Sequence, residues 1–526
     1  MTKLKFVAAL LGSTALFVAT PALAQDPLPE AQQQPTDPDV SDTAADEAIA
    51  QAAPVDASQA QIELLQAQVE ALQEALEGVK AAMVQTTPSW KGAPQFSGEG
   101  GWTFKPRGRL QYDAGWVSNP DNAIATRNLG FNTRARRIRL GAEGTIPGDF
   151  GYKFEMDFAD SQVRFGDAIL TYAPKGRPFS FAVGNHDTFQ TLERLTSSRF
   201  TSFMERAQMN DAFNHERRIG VSLGLQNKPG DLRFNAGVFA AHSIDSTFND
   251  NGWIGAARAT YSPQAMGGQL HLGANFQHRQ FSDNNSGADS TAINAPSNNQ
   301  RARYRARPFV TTTDVRFVDT NTFAAKSDDI WGVELAGIFK SLHFAGEAQW
   351  TRVNSYRAGE TIVDPLNMFP GNSQFVPDGN PSFFSAYGEL GYFLTGETRG
   401  YKPGAWDRTK VLNPFSKGGS GAVQLVGRID YLDLDSDKLK NGCTNNFATG
   451  VCTASSSSLS RGGTQLGFLA GLTWIPEDYV RVLVNYAHGE ITGGPFAATV
   501  DPTSSEPVDE RKYGVDVVAT RLQIDF

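Results

Sequence analysis

From Trp102 to the C-terminal Phe526 the chain runs in short segments whose apolar side chains recur at every second position. Successive side chains of a strand point to opposite faces, so this period marks strands with one apolar and one polar face. Examples are "RIRLGAEGTI", "GYKFEMDF", "DLRFNAGVFA", "GVELAGIFK", "VQLVGRIDYL" and "YVRVLVNYAH". Segments of about 10 residues with this alternation have the length and pattern of strands that cross a membrane between lipid and a watery lumen. A soluble sandwich gives similar strings, and the joins separate the two.

Tight joins (Pro147–Phe150, Pro174–Pro178, Asn227–Asp231, Ser262–Gly268, Lys340–Ser341, Pro476–Asp478) alternate with long polar ones (Ser118–Asn132, His186–His215, His242–Asn251, Phe281–Lys326, Asn354–Pro381, Asp435–Gly463, Ile491–Lys512). Short turns on one side and long loops on the other are expected of a membrane barrel, and the alternation predicts about 16 strands. Two joins fit poorly: Ala159–Val163 is short for an external loop, and Thr395–Gly419 is long for an internal one. In the last segment Val518, Thr520, Leu522, Ile524 and Phe526 share one face, with Arg521, Gln523 and Asp525 toward the other. A terminal Phe on such a strand resembles the signal read by outer-membrane barrel assembly. The fold class expected is therefore all-β, a transmembrane antiparallel barrel over 102–526.

The region before it has four parts. Residues 1–24 read as a cleavable export signal: Lys3 and Lys5, an apolar run from Phe6 to Val18, then Ala22-Leu23-Ala24. That run is too short to span as a helix with ordinary flanks, and no later stretch of roughly 18–20 apolar residues does so. Residues 25–58 are an acidic linker with too few large apolar groups to fold alone. Over 59–84, Ile62, Leu65, Val69, Leu72, Leu76, Val79 and Met83 recur at spacings of three and four, a heptad seam. It predicts a short coiled coil of two or three helices, the alternative being one amphipathic helix lying on its own barrel. Residues 85–101 form a Pro/Gly/Ser linker. The net charge of −9 belongs to this region, since Asp26–Asp56 alone holds eight acidic and no basic residues, and the remainder is close to neutral. Cys443 and Cys452, nine apart in an exported chain, suggest a loop disulfide, with two free thiols as the alternative. No ligand set for zinc accompanies them, and no cofactor or nucleic-acid partner is expected.

Catalytic signatures are missing: there is no Gly-x-Ser-x-Gly, His-Glu-x-x-His or phosphate-loop motif, and the seven His residues have no obvious nucleophile beside them. The arginines are more informative. In "NTRARRIRLGAEGT", Ile138, Leu140 and Ala142 share one face, which places Arg137, Arg139 and Glu143 toward the lumen. Arg137 and Arg139 then make a positive constriction, or pair with Glu143, Glu155 or Asp157 along the wall, and the two readings are compatible. The join His186–His215 is too apolar to lie free in water, with Phe189, Leu192, Leu195, Phe200, Phe203, Met204, Met209 and Phe213 needing cover. It is expected to fold into the barrel, presenting Arg194, Arg199, Arg206, Ser197 and Ser198, followed by Arg217 and Arg218. Guanidinium forks and hydroxyls suit a tetrahedral oxyanion. Pinning of the loop by arginine pairs to Glu193 and Glu205 is the competing role.

"LERLTSSRFTSFMER" with "RRIGVSLG", together with "FKPRGRLQYD", "RYRARP", "RFVDT" and "YFLTGE", resembles the phosphate-selective porin O/P family of outer-membrane trimers, in order over nearly all of Trp102–Phe526. The resemblance implies a 16-stranded homotrimer in outer-membrane lipid. Its inward third loop and lumen arginines would bind phosphate in passage, with Arg137, Arg194, Ser197, Arg199 and Arg206 at the matching constriction positions. The family places lysines there, whereas no Lys occurs between Lys175 and Lys228 in this chain. Passive diffusion of small anions, phosphate in the family's manner, is the function the resemblance implies. A general, weakly selective porin and a structural envelope protein whose coil contacts peptidoglycan are the alternatives.

Overall fold

A computed structural model of the chain describes residues 55–86, 88–90, 92–125, 128–161, 163–241, 244, 252–281, 300–362, 369–454 and 461–526. The expected signal peptide and most of the acidic segment lie outside the described residues, as do the side chains of Val79 and Met83. Helix α1 (Val55–Thr86) covers the heptad segment. Ile62, Leu65, Val69, Leu72 and Leu76 are 51–69% exposed on it. The seam is therefore open in the single chain.

Sixteen strands form the barrel. They are β1 (Thr103–Val117), β2 (Gly130–Ile146), β3 (Phe150–Asp157), β4 (Arg164–Tyr172), β5 (Phe179–Asp187), β6 (Arg217–Gln226), β7 (Leu232–Ala240) and β8 (Trp253–Tyr261). The second half is β9 (Gly268–Gln280), β10 (Phe323–Phe339), β11 (Leu342–Ser355), β12 (Ser382–Phe393), β13 (Ala422–Asp433), β14 (Thr464–Glu477), β15 (Val480–Thr492) and β16 (Lys512–Asp525). Each pairs antiparallel with the next, and β16 closes on β1 from Val517↔Val117 to Asp525↔Arg109. Closure leaves no edge, so every strand satisfies its backbone polar groups against neighbours, as a lipid setting demands.

The faces are inverted relative to a water-soluble protein. Leu140, Val221, Val333, Leu390, Ile429 and Leu522 are 47–56% exposed on the outside, while Arg137, Glu334, Arg428 and Arg521 are 1–5% exposed inside. The tight turns fall where the punctuation places them; between β2 and β3, Gly148 (φ +87°) and Asp149 (φ +67°) take the left-handed conformation that a two-strand reversal needs. The short join after β3 is explained by low walls: β3 to β8 have 8–10 residues, β9 to β16 have 12–17. On the tall side, Ser373–Val376, Cys443–Asn446 and Cys452–Ala454 form an external three-stranded sheet, in which Cys443 and Cys452 are joined by a disulfide. The segment read as an 85–101 linker is partly ordered: Ser89–Trp90 pairs with Pro94–Ser97, which continues onto β1 through Phe96↔Phe104.

Among the described residues three connections enter the lumen, of which alternation and apolarity predict one. The β5–β6 loop is the expected one. Residues 300–322, expected within an external loop, also turn inward: a methyl on Gly467 of β14 would collide with the Phe309 ring. The long β12–β13 join forms a hairpin (Gly400–Lys402 with Ala405–Asp407) inside the opposite end. There Trp406 is 3% exposed and its backbone N–H donates to Thr196 Oγ1 of the β5–β6 loop at 3.0 Å. Its length, odd for a turn, follows from its having a lumen to fill.

Candidate functional site

The β5–β6 loop is held by the wall that it crosses to reach. It carries two short helices, α2 (Leu192–Leu195) and α3 (Gln208–Ala212). Leu192, Phe203, Met204, Met209 and Phe213 are buried, which meets the demand their apolarity made. On the far wall Glu347 of β11 accepts the backbone N–H groups of Leu192 (2.7 Å) and Glu193 (2.9 Å) and the Tyr387 hydroxyl (2.7 Å). Arg428 of β13 bridges Glu193 of the loop (2.5 Å) and Glu389 (2.6 Å). Asn485 Oδ1 accepts Met204 N–H at 2.9 Å, and Gly471 leaves room for the Phe203 ring. Glu205, at the near end, receives Arg136 (2.9 Å) and Arg521 (2.7 Å). Burial would raise the Glu205 carboxyl, but Arg136 and then Arg521 outweigh it and hold it well below the usual carboxylate range.

Two cavities meet at this loop, each of about 290 Å³. The inner one is lined by Arg107, Arg109, Arg199, Arg217, Lys153, Lys402, Ser197 and Ser198 among others; its walls hold ten cationic side chains and four carboxylates. The outer one adds Arg136, Arg307, His215 and Thr311, with six arginines against three carboxylates. Arg137, Arg139, Arg194 and Arg206 line both, and so form the neck between them.

The four neck arginines differ in how far their charge is cancelled. Arg139 is bound by Glu155 (2.6 Å) and Asp157 (2.7 Å), and Arg194 by Asp187 (2.7 Å). Arg137 donates to Gln111 Oε1 at 2.8 Å and, among the described residues, has no carboxylate within 4 Å. Arg206 donates to the carbonyls of Glu193 (2.8 Å) and Thr196 (2.7 Å), and no carboxylate of the described residues lies within 4 Å of it either. Burial, and next the neighbouring Arg194, bring Arg206 down to about 9, which leaves it cationic at neutral pH. The neck thus holds two guanidiniums with no carboxylate beside them among the described residues, and its field is positive in a narrow, low-dielectric passage.

The family model described as phosphate-selective porin O and P matches residues 104–526. The chain belongs to that family. An uncharacterized protein of Caulobacter vibrioides is 34% identical over 457 residues, covering 85% of this chain and 78% of its own. Porin O of Pseudomonas aeruginosa is 23% identical over 413 residues, 73% of this chain and 82% of that one. The solved anion-selective porin from Comamonas acidovorans superposes with a TM-score of 0.42 at 12% identity, covering 81% of this chain and 100% of that one. The protein is an outer-membrane porin.

Of the residues singled out from sequence, the porin places Arg137, Arg139, Arg194, Ser197, Arg199 and Arg206 together around the inner cavity. Arg218 lies elsewhere and is corrected: it is 2% exposed in the wall, donating to Ala241 O (3.0 Å) and pairing with Glu216 (2.9 Å). Arg217 takes the lining position instead, between Asp167 (2.5 Å) and Asp187 (3.5 Å). The loop is pinned at Glu193 and Glu205, but by wall arginines and not by its own. Arg136 was overlooked because a bulge, with Ala135↔Tyr112 followed by Arg137↔Gln111, breaks the alternation and lets Arg136 reach Glu205 from the lumen side. Arg107 and Arg109 were legible from the parity of "FKPRGRLQYD". Lysines absent from the loop arrive from β3 as Lys153 and from the β12–β13 hairpin as Lys402.

Proposed function

We propose that this porin lets small anions, phosphate among them, diffuse passively through each barrel, and that three copies assemble as a homotrimer. The observation that carries the reading is the neck shared by the two cavities, where Arg137 and Arg206 have no carboxylate partner. An oxyanion meets guanidinium forks at the neck and the Ser197 and Ser198 hydroxyls beyond it, a succession of separate donors that favours entry without trapping. Arg109 is hydrogen-bonded to Ser198 Oγ (2.6 Å) and Ser197 Oγ (3.4 Å), which orients both hydroxyl oxygens toward a cation and leaves their protons for an incoming oxyanion.

Titration of phosphate against chloride current through single pores tests it. Block at low phosphate concentration in the native protein, weakened in Arg137→Gln, is expected. The neutralised arginines, Arg139 and Arg194, favour a second reading as a general porin of modest anion preference; phosphate without effect on chloride current would decide for that reading.

A further inference from the structure

A third, much smaller cavity of about 20 Å³ lies beside Arg199, between the β5–β6 loop, the β12–β13 hairpin and the inner ends of β14 and β15. Four guanidiniums line it, those of Arg199, Arg399, Arg408 and Arg481, with Asp407 and Asp478 as the carboxylates. Arg199 (3.3 Å) and Arg408 both pair with Asp525. Among the described residues neither Arg399 nor Arg481 has a carboxylate within 4 Å, although they are 5% and 6% exposed. Their hydrogen bonds go to neutral groups of the β5–β6 loop. Arg399 donates to Ser202 Oγ (2.8 Å) and Phe200 O (2.7 Å), Arg481 to Arg199 O and to Thr201 O (3.0 Å). The Nε atoms of both are buried without any partner.

A buried guanidinium without a counter-charge is costly, because desolvation is offset only by an opposite charge or a full set of acceptors. Two such groups, each with an unsatisfied N–H, border one small void. We infer that this void binds a monatomic anion of chloride size, resident and separate from the anions that permeate. The volume sets the class: a cavity needs roughly 10–15 Å³ to hold one water-sized occupant, so this one takes a single halide and excludes a tetrahedral oxyanion. The anion would tie the loop, held through Phe200–Ser202, to the hairpin carrying Arg399 and Arg408. The wide passage and the small void would thus differ in selectivity by size, oxyanions in one and halide in the other.

Crystals of the detergent-purified protein grown in bromide, measured at the bromine absorption edge, test this directly. The expected result is an anomalous peak within hydrogen-bond reach of Arg399 and Arg481, persisting when excess phosphate is added and lost in Arg481→Gln or, should that variant not fold, in Arg399→Gln. A void without anomalous density in the native protein would overturn the inference, whether or not bromide appears along the passage, as would a peak displaced by phosphate. Failure here leaves the proposed permeation pathway untouched, since that pathway is read from conductance.

Discussion

Arg137 and Arg139 stand two residues apart on β2 and face the same lumen, yet their surroundings give them different roles. Arg139 is matched by Glu155 and Asp157, and Arg137 only by an amide oxygen. Removing a unit charge about 4 Å from a passing ion changes its energy by about 1 kcal/mol in water-like dielectric, or about five-fold in partition. Arg137→Gln is therefore expected to cut the anion-to-cation permeability ratio by up to about 25-fold, because the anion loses and the cation gains that interaction. Arg139→Gln should cut it further, because it also uncovers Asp157, while Glu155 keeps Arg109 at 3.4 Å; equal effects in single-channel recordings would show that pairing does not matter. His215, lining the outer cavity, donates through Nε2 to Gln349 Oε1 at 2.7 Å, and burial lowers its imidazole to about 3. It stays neutral from pH 5 to 8, so selectivity should be flat across that range, and a step near pH 6.5 would contradict the assignment. The folded value lies below the unfolded one, so this residue's share of stability is present above pH 6.5 and declines as pH falls toward 3.

At the scale of elements, the inward loop is set by the wall opposite its origin. Glu347 alone receives two loop amides and a tyrosine hydroxyl, each bond contributing roughly 0.5–1.5 kcal/mol net. Glu347→Ala should leave the barrel assembled but loosen the loop, seen as larger and noisier single-channel conductance; an unchanged trace would place the anchor elsewhere. Deleting 399–408, with the β12–β13 hairpin, should widen the inner end and raise conductance, while removing the anion contribution of Lys402. The strands, the turns and the β5–β6 loop were legible because alternation, Pro/Gly punctuation and unaccommodated apolar residues are local signals. The hairpin and residues 300–322 were not, since nothing in a polar join tells whether water or a lumen surrounds it. Gly467 and Gly471, which make room for Phe309 and Phe203, carry meaning only once the partners are known. Arg136 was hidden by a one-residue bulge that reverses the parity on which the reading of faces rests.

Across the whole molecule, sequence charge and pore charge are opposed. The chain sums to −9, yet its inner cavity is lined by ten cations and four carboxylates, because the acidity is concentrated before the barrel. Helix α1, with its open seam, fits a role between copies, and removing 59–84 should leave conductance and ion preference intact while weakening association, read by sedimentation in detergent. The central claim, that the barrel is an anion pathway, is tested most directly by the reversal potential of single pores in a planar bilayer under a potassium chloride gradient. The account predicts a potential of the sign set by chloride, reduced in Arg137→Gln. A potential near zero, or one of the potassium sign, would contradict it.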